Sequence, residues 1–292
     1  MAHPASIRIS VAFGAAMLWS GIAAADRPLI DHLNNHLEGS IGAEHLSYSE
    51  LNNGLNPQIS ADGDLDTESG TLLSSGLVGS WQGKLWFIDK LRADLGIHLS
   101  SGGVTYNGYL QDLQTGALTP LQVSTDETIS DYQFRAGKGF SLWGTQHDLL
   151  TPYAGIGLTA WHRSLTGPGG YTEQYRHKYW KLGGQYQLVL VRNLVLNLDA
   201  SYGHMVSPRM NSSDLPNTFE LGSTSIQNYT LGLRYMTSHE AYVGLDTYWM
   251  HYGYDQSPTY SVDIDGATGT VLEPTSRTTR DGVVFVFGYA YR

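Results

Sequence analysis

The 292-residue chain has no cysteine, few charged residues and, beyond its first 25 positions, no long apolar run. Each absence excludes something. Without cysteine there is no disulfide, no thiolate nucleophile and no Cys-based metal site, so hydrogen bonding and packing must hold the fold. Without ~18 consecutive apolar residues the main body has no transmembrane helix. Lysine and arginine number 17 against 27 acidic residues, a formal charge of -10, which argues against nucleic acid as a partner. No cofactor signature survives scrutiny either. Gly155-Ile156-Gly157-Leu158-Thr159-Ala160 spells the dinucleotide-binding pattern but lies inside an alternating strand with no helix to follow.

What is present is 34 glycines, 19 tyrosines and only 15% charged residues, a composition that suits strands, tight turns and aromatic belts. Mean hydropathy is -0.23. That value fits a soluble protein, and it equally fits a barrel, where outward apolar and inward polar residues cancel in any average.

Residues 1–25 read as a cleaved secretory signal: Arg8, an apolar stretch from Ile9 to Ile22, then Ala23-Ala24-Ala25 before Asp26. Residues 26–37 form a short N-terminal arm or amphipathic helix on the periplasmic side. From 38 to 292 the chain reads as one antiparallel all-β barrel.

Period-two alternation carries that reading. Leu91, Ala93, Leu95, Ile97 and Leu99 share one face, and Lys90, Arg92, Asp94, Gly96 and His98 share the other. The pattern recurs around Phe134, Ile156, Leu182, Leu198, Leu231 and Leu245, with the first two strands, near 39–51 and 70–82, open in register. Short turns fall near 82–84, 144–147, 192–193 and 238–240. Longer polar connections fall near 52–69, 110–124, 165–172, 207–222 and 255–275. Short and long alternate strictly, as in an up-and-down barrel of about ten strands with five external loops; twelve strands is the alternative. Trp81, Trp86 and Trp143 mark one interface, and Tyr106, Tyr109, Tyr171, Tyr175, Tyr252 and Tyr254 mark the other.

These features, and a last stretch in which Val283, Phe285, Phe287, Tyr289 and Tyr291 alternate with small residues, resemble bacterial outer-membrane β-barrel proteins. The resemblance implies contact with outer-membrane lipid and lipopolysaccharide, and recognition of the final strand by the barrel assembly machinery. Gly288 and Tyr291 match that signal, whereas Arg292 departs from its usual aromatic end. No stretch matches the omptin proteases, nor is there a Ser/His constellation like that of the lipid-modifying barrels.

The inward ionic residues divide by depth. Asp199, Arg234 and Asp246 lie near the short turns, with Arg234 expected to pair with either aspartate, and Lys90 and Arg92 lie at similar depth. Asp94, Arg135 and Lys181 form a second layer nearer the loops. Such a set is an active site, a selectivity ring or a structural plug, and a narrow barrel favours the plug. His98 and His177 are the general-base candidates. Asp62, Asp64 and Asp66, with a thinner Asp263/Asp265 pair, offer loop carboxylates for calcium, though hydrated acidic loops read the same way. The expected function is a non-enzymatic surface protein acting through its loops on an unidentified external ligand. The alternatives are an outer-membrane hydrolase with its site at the lumen mouth and a narrow solute channel.

Overall fold

The computed structural model describes residues 29–111, 117–167, 169–215, 218–238, 240–264 and 267–291. The expected signal at 1–25 lies outside them, as do Asp265 and Arg292. A helix α1 (Leu29–Leu33) precedes strands β1 (His36–Leu51), β2 (Asp64–Leu85), β3 (Ile88–Gln111), β4 (Leu118–Lys138), β5 (Asp148–Leu165), β6 (Thr172–Val191) and β7 (Leu194–Ser212). They are followed by β8 (Thr218–Glu220), β9 (Ser225–Met236), β10 (Ala241–Tyr254), β11 (Tyr260–Ile264), β12 (Ala267–Val271) and β13 (Ser276–Ala290).

Ten of these strands form a closed antiparallel ring in the order β6-β5-β4-β3-β2-β1-β13-β10-β9-β7, sealed by the β6–β7 pairing. The last strand pairs with the first from His36↔Ala290 to Glu50↔Ser276, leaving no free edge. β8 adds to the end of β7, and β11–β12 form a separate hairpin. His36 and Leu37, read as part of the arm, already belong to β1.

The face assignments follow the alternation. Leu95, Phe134, Ile156, Leu182, Leu245 and Phe285 point outward and are exposed, while Arg92, Asp94, Asp131 and Lys181 are buried inside. The outward face is apolar for only part of each strand. On β1 it runs Leu37, Ile41, Ala43 and then His45 and Ser47; on β3 it runs Leu95, Ile97, Leu99 and then Ser101 and Thr105. Neighbouring strands share these changeovers: His45 faces Asp281 and Thr71, Ser101 faces Thr128, and Trp180 faces His204. Above it the inward positions become apolar: Leu46, Tyr48, Leu72, Val104, Ile129, Trp161 and Met205 form a buried core. The lower part therefore has an apolar outside, and the upper part a polar outside around an apolar core that also holds the buried Arg163 and Glu68. The ten ring strands run from 12 to 24 residues against the roughly 9–11 that a tilted span needs, so the apolar belt and the projecting part account for their length together.

This inversion corrects one expectation. Tyr106, Tyr175, Tyr252 and Tyr254 are not an interfacial belt; they turn inward and are buried. Strand parity runs unbroken through the changeover on β3, β6 and β10, so tyrosines on their inward parity join the upper core. The outward aromatics at the upper rim are Tyr132, Trp180, Tyr202, Tyr229 and Trp249.

The strict alternation of short and long connections does not hold: residues 139–147, between β4 and β5 where a short turn was expected at 144–147, form a longer connection than 112–117 or 166–171 on the other side. The first short turn lies at Trp86 and Phe87 rather than 82–84, because Trp86 takes the left-handed conformation (φ 54) without the glycine or asparagine that would announce it. The connections read at 52–69, 110–124 and 207–222 are shorter, since β2, β3, β4 and β7 extend into them.

Candidate functional site

The lumen is filled in three levels. At the short-turn end, Ile30 and Leu33 of α1 pack with Val195, Met236, Tyr242 and Val286. Asn34 beside them donates to Gln82 at 2.9 Å and to Gln187 at 2.7 Å, and accepts from Arg92 at 2.9 Å. Above this plug two ion-paired sets cross the lumen. Arg92 Nε donates to Asp94 at 2.9 Å, and Arg135 donates to both Asp94 and Asp199 at 2.6 Å. Tyr153 donates to the second oxygen of Asp199 at 2.7 Å. Arg234 donates to Asp246 at 2.5 and 2.8 Å and to Glu38 at 2.9 and 3.1 Å.

The sequence-read network is thus corrected in two places and completed in a third. Asp94 and Arg135 join Asp199 in one chain instead of forming a separate layer. Arg234 pairs with Asp246, one of its two expected partners, and with Glu38 besides, while Asp199 pairs with Arg135. Lys90 is not in the lumen set; its ammonium stands 3.9 Å from Asp31 at the barrel end. Lys181 donates to Gln133 at 2.7 Å. A cavity of about 260 Å3 lies among these groups, reaching from Leu33 and Asn34 to His98 and Tyr248.

The middle level centres on Arg280, which is 1% exposed. Its Nε and Nη2 donate to Glu44 at 2.8 and 3.0 Å, and its Nη1 donates to Asp131 at 2.7 Å. Asp131 is on β4 and Arg280 on β13, four strands away around the ring, so this pair ties opposite walls. His98 Nε2 lies 3.1 Å from Ser100 Oγ and 3.3 Å from both Ser74 Oγ and Glu44 Oε2. All three partners share one ring nitrogen, whereas a Ser-His-acid relay needs acid and serine on opposite nitrogens. His177 is buried, with Nδ1 2.9 Å from the Tyr254 hydroxyl. The two candidate bases share none of these hydrogen-bond partners.

The mouth, above the apolar belt, gathers six carboxyls, those of Glu50, Asp66, Glu68, Glu127, Glu173 and Glu273, around one cation. Arg163 donates to Glu68 at 2.9 and 3.2 Å and to Glu173 at 2.6 Å, and stands 3.6 Å from Glu50. Its guanidinium lies 4.5 Å from the centre of the Tyr48 ring. Trp161 donates to Glu127. The Tyr175 hydroxyl has one proton yet lies 2.5 Å from Glu273 and 3.1 Å from Glu173 while accepting from Arg163 at 3.2 Å. That single proton serves two carboxyls, an arrangement that a proton on one of them would relieve. Burial is the main cause and neighbouring carboxylates add to it: Glu173 is pushed up to about 7, Glu127, which abuts Glu68, to about 9, and Glu273 and Asp66 well above the ordinary range.

Asp62 and Asp64 are exposed while Asp66 is drawn into this cluster, so the three do not converge. Among the described residues no group of three or more acidic or histidine side chains has metal-binding geometry.

Two long connections close over the mouth. The backbone of Glu273 accepts from Ser257 at 3.0 Å while its side chain reaches Tyr175. Phe219 of β8 packs edge-on against Tyr260 of β11 at 5.1 Å, and Glu220 N donates to the Tyr260 hydroxyl at 3.0 Å. A bridge joins Gly222 to Asp255. The first connection is held by buried Asn52, whose Nδ2 contacts the carbonyls of Asn56, Ile59 and Ser60 at 2.9 to 3.0 Å.

No protein-family model and no curated protein sequence matches the chain. Solved structures do. The outer membrane protease OmpT from Escherichia coli aligns with a TM-score of 0.51 at 8% identity, over 88% of this chain and 97% of that one. The transport unit of the autotransporter AIDA-I from Escherichia coli aligns at 0.41 and 11% identity, over 92% and 100%. The translocator domain of NalP from Neisseria meningitidis aligns at 0.38 and 12% identity, over 88% of each. The identities are far too low to carry over residues or activity, and the likeness is one of fold. With its closed ten-strand ring and outward apolar belt, the chain has the fold of the bacterial outer-membrane β-barrels.

Proposed function

We propose that this barrel is a non-enzymatic surface protein that places its long connections outside the cell and binds an external partner through them. One observation carries the reading: the fourth and fifth long connections fold into an ordered cap over a lumen packed with paired charges, so the surface offered at that end is made by loops. In this orientation the short turns and α1 are periplasmic, lipid of the membrane contacts the belt, and the assembly machinery reads β13. Replacing 258–272 by a short Gly/Ser link in the intact protein tests it. The barrel is expected to keep its heat-modifiable migration while cells displaying it lose surface binding. Unchanged binding, with loss on a single lumen substitution, would overturn the reading.

One observation favours a second reading, a hydrolase at the mouth: Glu68 and Glu127 abut, and a carboxyl pair holding one proton is a general acid–base device. Glu127→Gln would then abolish turnover of peptide or lipid substrates with the loops intact, and His98→Ala or His177→Ala would do so if either is the base. The crossing ion pairs weigh against a narrow solute channel, which planar-bilayer recording would detect as conductance.

A further inference from the structure

Arg176 and Arg209 are direct cross-strand neighbours on the outer wall of β6 and β7, and both are exposed. Like charges facing across a ladder oppose pairing. Lys178 shares their face one pleat below, beside Leu158 and Val206, where the apolar belt ends. His162 on β5 and His204 on β7 flank the group, and Trp180 stands directly beneath. None of the three cations has a carboxylate within 4 Å among the ion pairs of the described residues. The carboxylates that register puts on this face are Glu220, across from Arg209 on β8, and Asp126 on β4.

The arrangement depends on a backbone irregularity. The β6–β7 register shifts between Arg176 and Lys178, opposite Ser207 and Pro208, and Ser207 adopts a left-handed φ of 49. Up to Met205 the odd residues of β7 face inward. The extra residue reverses that parity, turning Met210 into the core and Arg209 out beside Arg176. A residue with a Cβ held in this conformation is strained, and the result is a second guanidinium beside the first.

We propose that Arg176, Lys178 and Arg209 form a docking site for the phosphate-bearing headgroup of a lipid in the leaflet at the long-loop end. Two guanidiniums side by side with an ammonium below match phosphate oxygens in geometry and charge. Their height, at the rim of the belt and just above Trp180, is where the headgroups of a bilayer lie. The site rests on the membrane-spanning orientation proposed above.

The test uses the full mature barrel folded into phosphatidylcholine vesicles doped with a diphosphorylated glycolipid carrying a quencher of tryptophan fluorescence, or with its dephosphorylated form. Preferential quenching by the phosphorylated lipid is expected. It should weaken by about a hundredfold in the Arg176→Ser/Lys178→Ser/Arg209→Ser variant, about a factor of five for each cation. Arg176→Lys/Arg209→Lys should retain most of the preference, and Arg277→Ser, on the outer face of β13, all of it. Equal quenching by the two lipids, an unaffected triple variant, or full displacement by inorganic phosphate would overturn the proposal while leaving the barrel reading intact. Failure of the wild type to insert, read as no heat-modifiable band, would overturn both.

Discussion

The lower and upper halves of this barrel solve opposite solvation problems with the same ten strands. Below the level of His45, Ser101 and His204 the outer wall is apolar and the interior is largely ionic; above it the outer wall is polar and the interior joins an apolar core of Leu46, Tyr48, Val104, Ile129 and Trp161 to the carboxyl cluster around Arg163. The lower half must satisfy buried charges by pairing them, because a narrow lumen holds little water. The upper half behaves like a small soluble barrel whose core continues into the cap through Phe219 and Leu221. Outside the β7 bulge at Ser207, strand parity does not change between them; only the chemistry assigned to each parity does.

The comparison can be broken most forcefully at Arg280, the tie across the middle. Arg280→Ala leaves Glu44 and Asp131 buried without their cation and should cost roughly 3–5 kcal/mol, read as an earlier loss of the folded band in urea. Arg277→Ala, on the outer face of the same strand, should change stability by less than about 0.5 kcal/mol. Equal costs would mean Arg280 is not the tie.

The apolar inventory gives the next effect. Leu46 is fully buried and Leu73 is 63% exposed on the belt, although the two lie on neighbouring strands near one level. Leu46→Ala should destabilise by about 2–5 kcal/mol through the cavity it leaves. Leu73→Ala, whose side chain only meets lipid, should cost clearly less in the same urea titration. A charge sharpens the boundary further: Leu95→Arg should impair assembly by about 2–4 kcal/mol, whereas Ser101→Arg on the same face should assemble normally. Assembly yields that did not differ would remove the boundary.

The smallest effect concerns the cap and follows pH. Carboxyls whose native values are raised bind protons more tightly folded than unfolded, so their contribution is complete in acid and is lost as pH rises through those values. Here that window runs from about 7 for Glu173 to about 9 for Glu127. Protease cleavage within 258–272 should therefore accelerate across it, and Glu127→Gln should flatten the upper part of the profile. Cleavage independent of pH would mean the mouth holds no such protons.

Much of the lower half was legible in the sequence. Most outward residues there are large and apolar and many inward ones are small or charged, so alternation identified the faces, the closing strand at 283–291 and the ionic lumen. Partnership was less legible. Arg234 reaches Glu38 on β1 and Arg135 reaches Asp199, each three strands around the ring, and no local spacing encodes a contact across a lumen. The upper half was misread for a different reason. Polar outward residues such as Ser101 and Thr105 look like loop approaching, which set the connections too wide and made inward tyrosines look interfacial. Glu44 and Arg280, which tie the middle, were missed because the register of β1 was open and the closing strand was read from Gly282 onward. The signal that finds them is parity extended four or six residues past the last apolar outward position.

The boundary itself is the most direct test. Single spin labels at outward positions 95, 97, 99, 101, 103 and 105 of β3, in barrels folded into lipid vesicles, report accessibility to dissolved oxygen against a water-soluble nickel chelate. The inverted-barrel account predicts that oxygen dominates through 99, that the chelate dominates from 101 onward, and that the crossover matches that of labels at 43 and 45 on β1. Oxygen-dominated accessibility continuing to 105 would place the upper half in lipid and contradict the account.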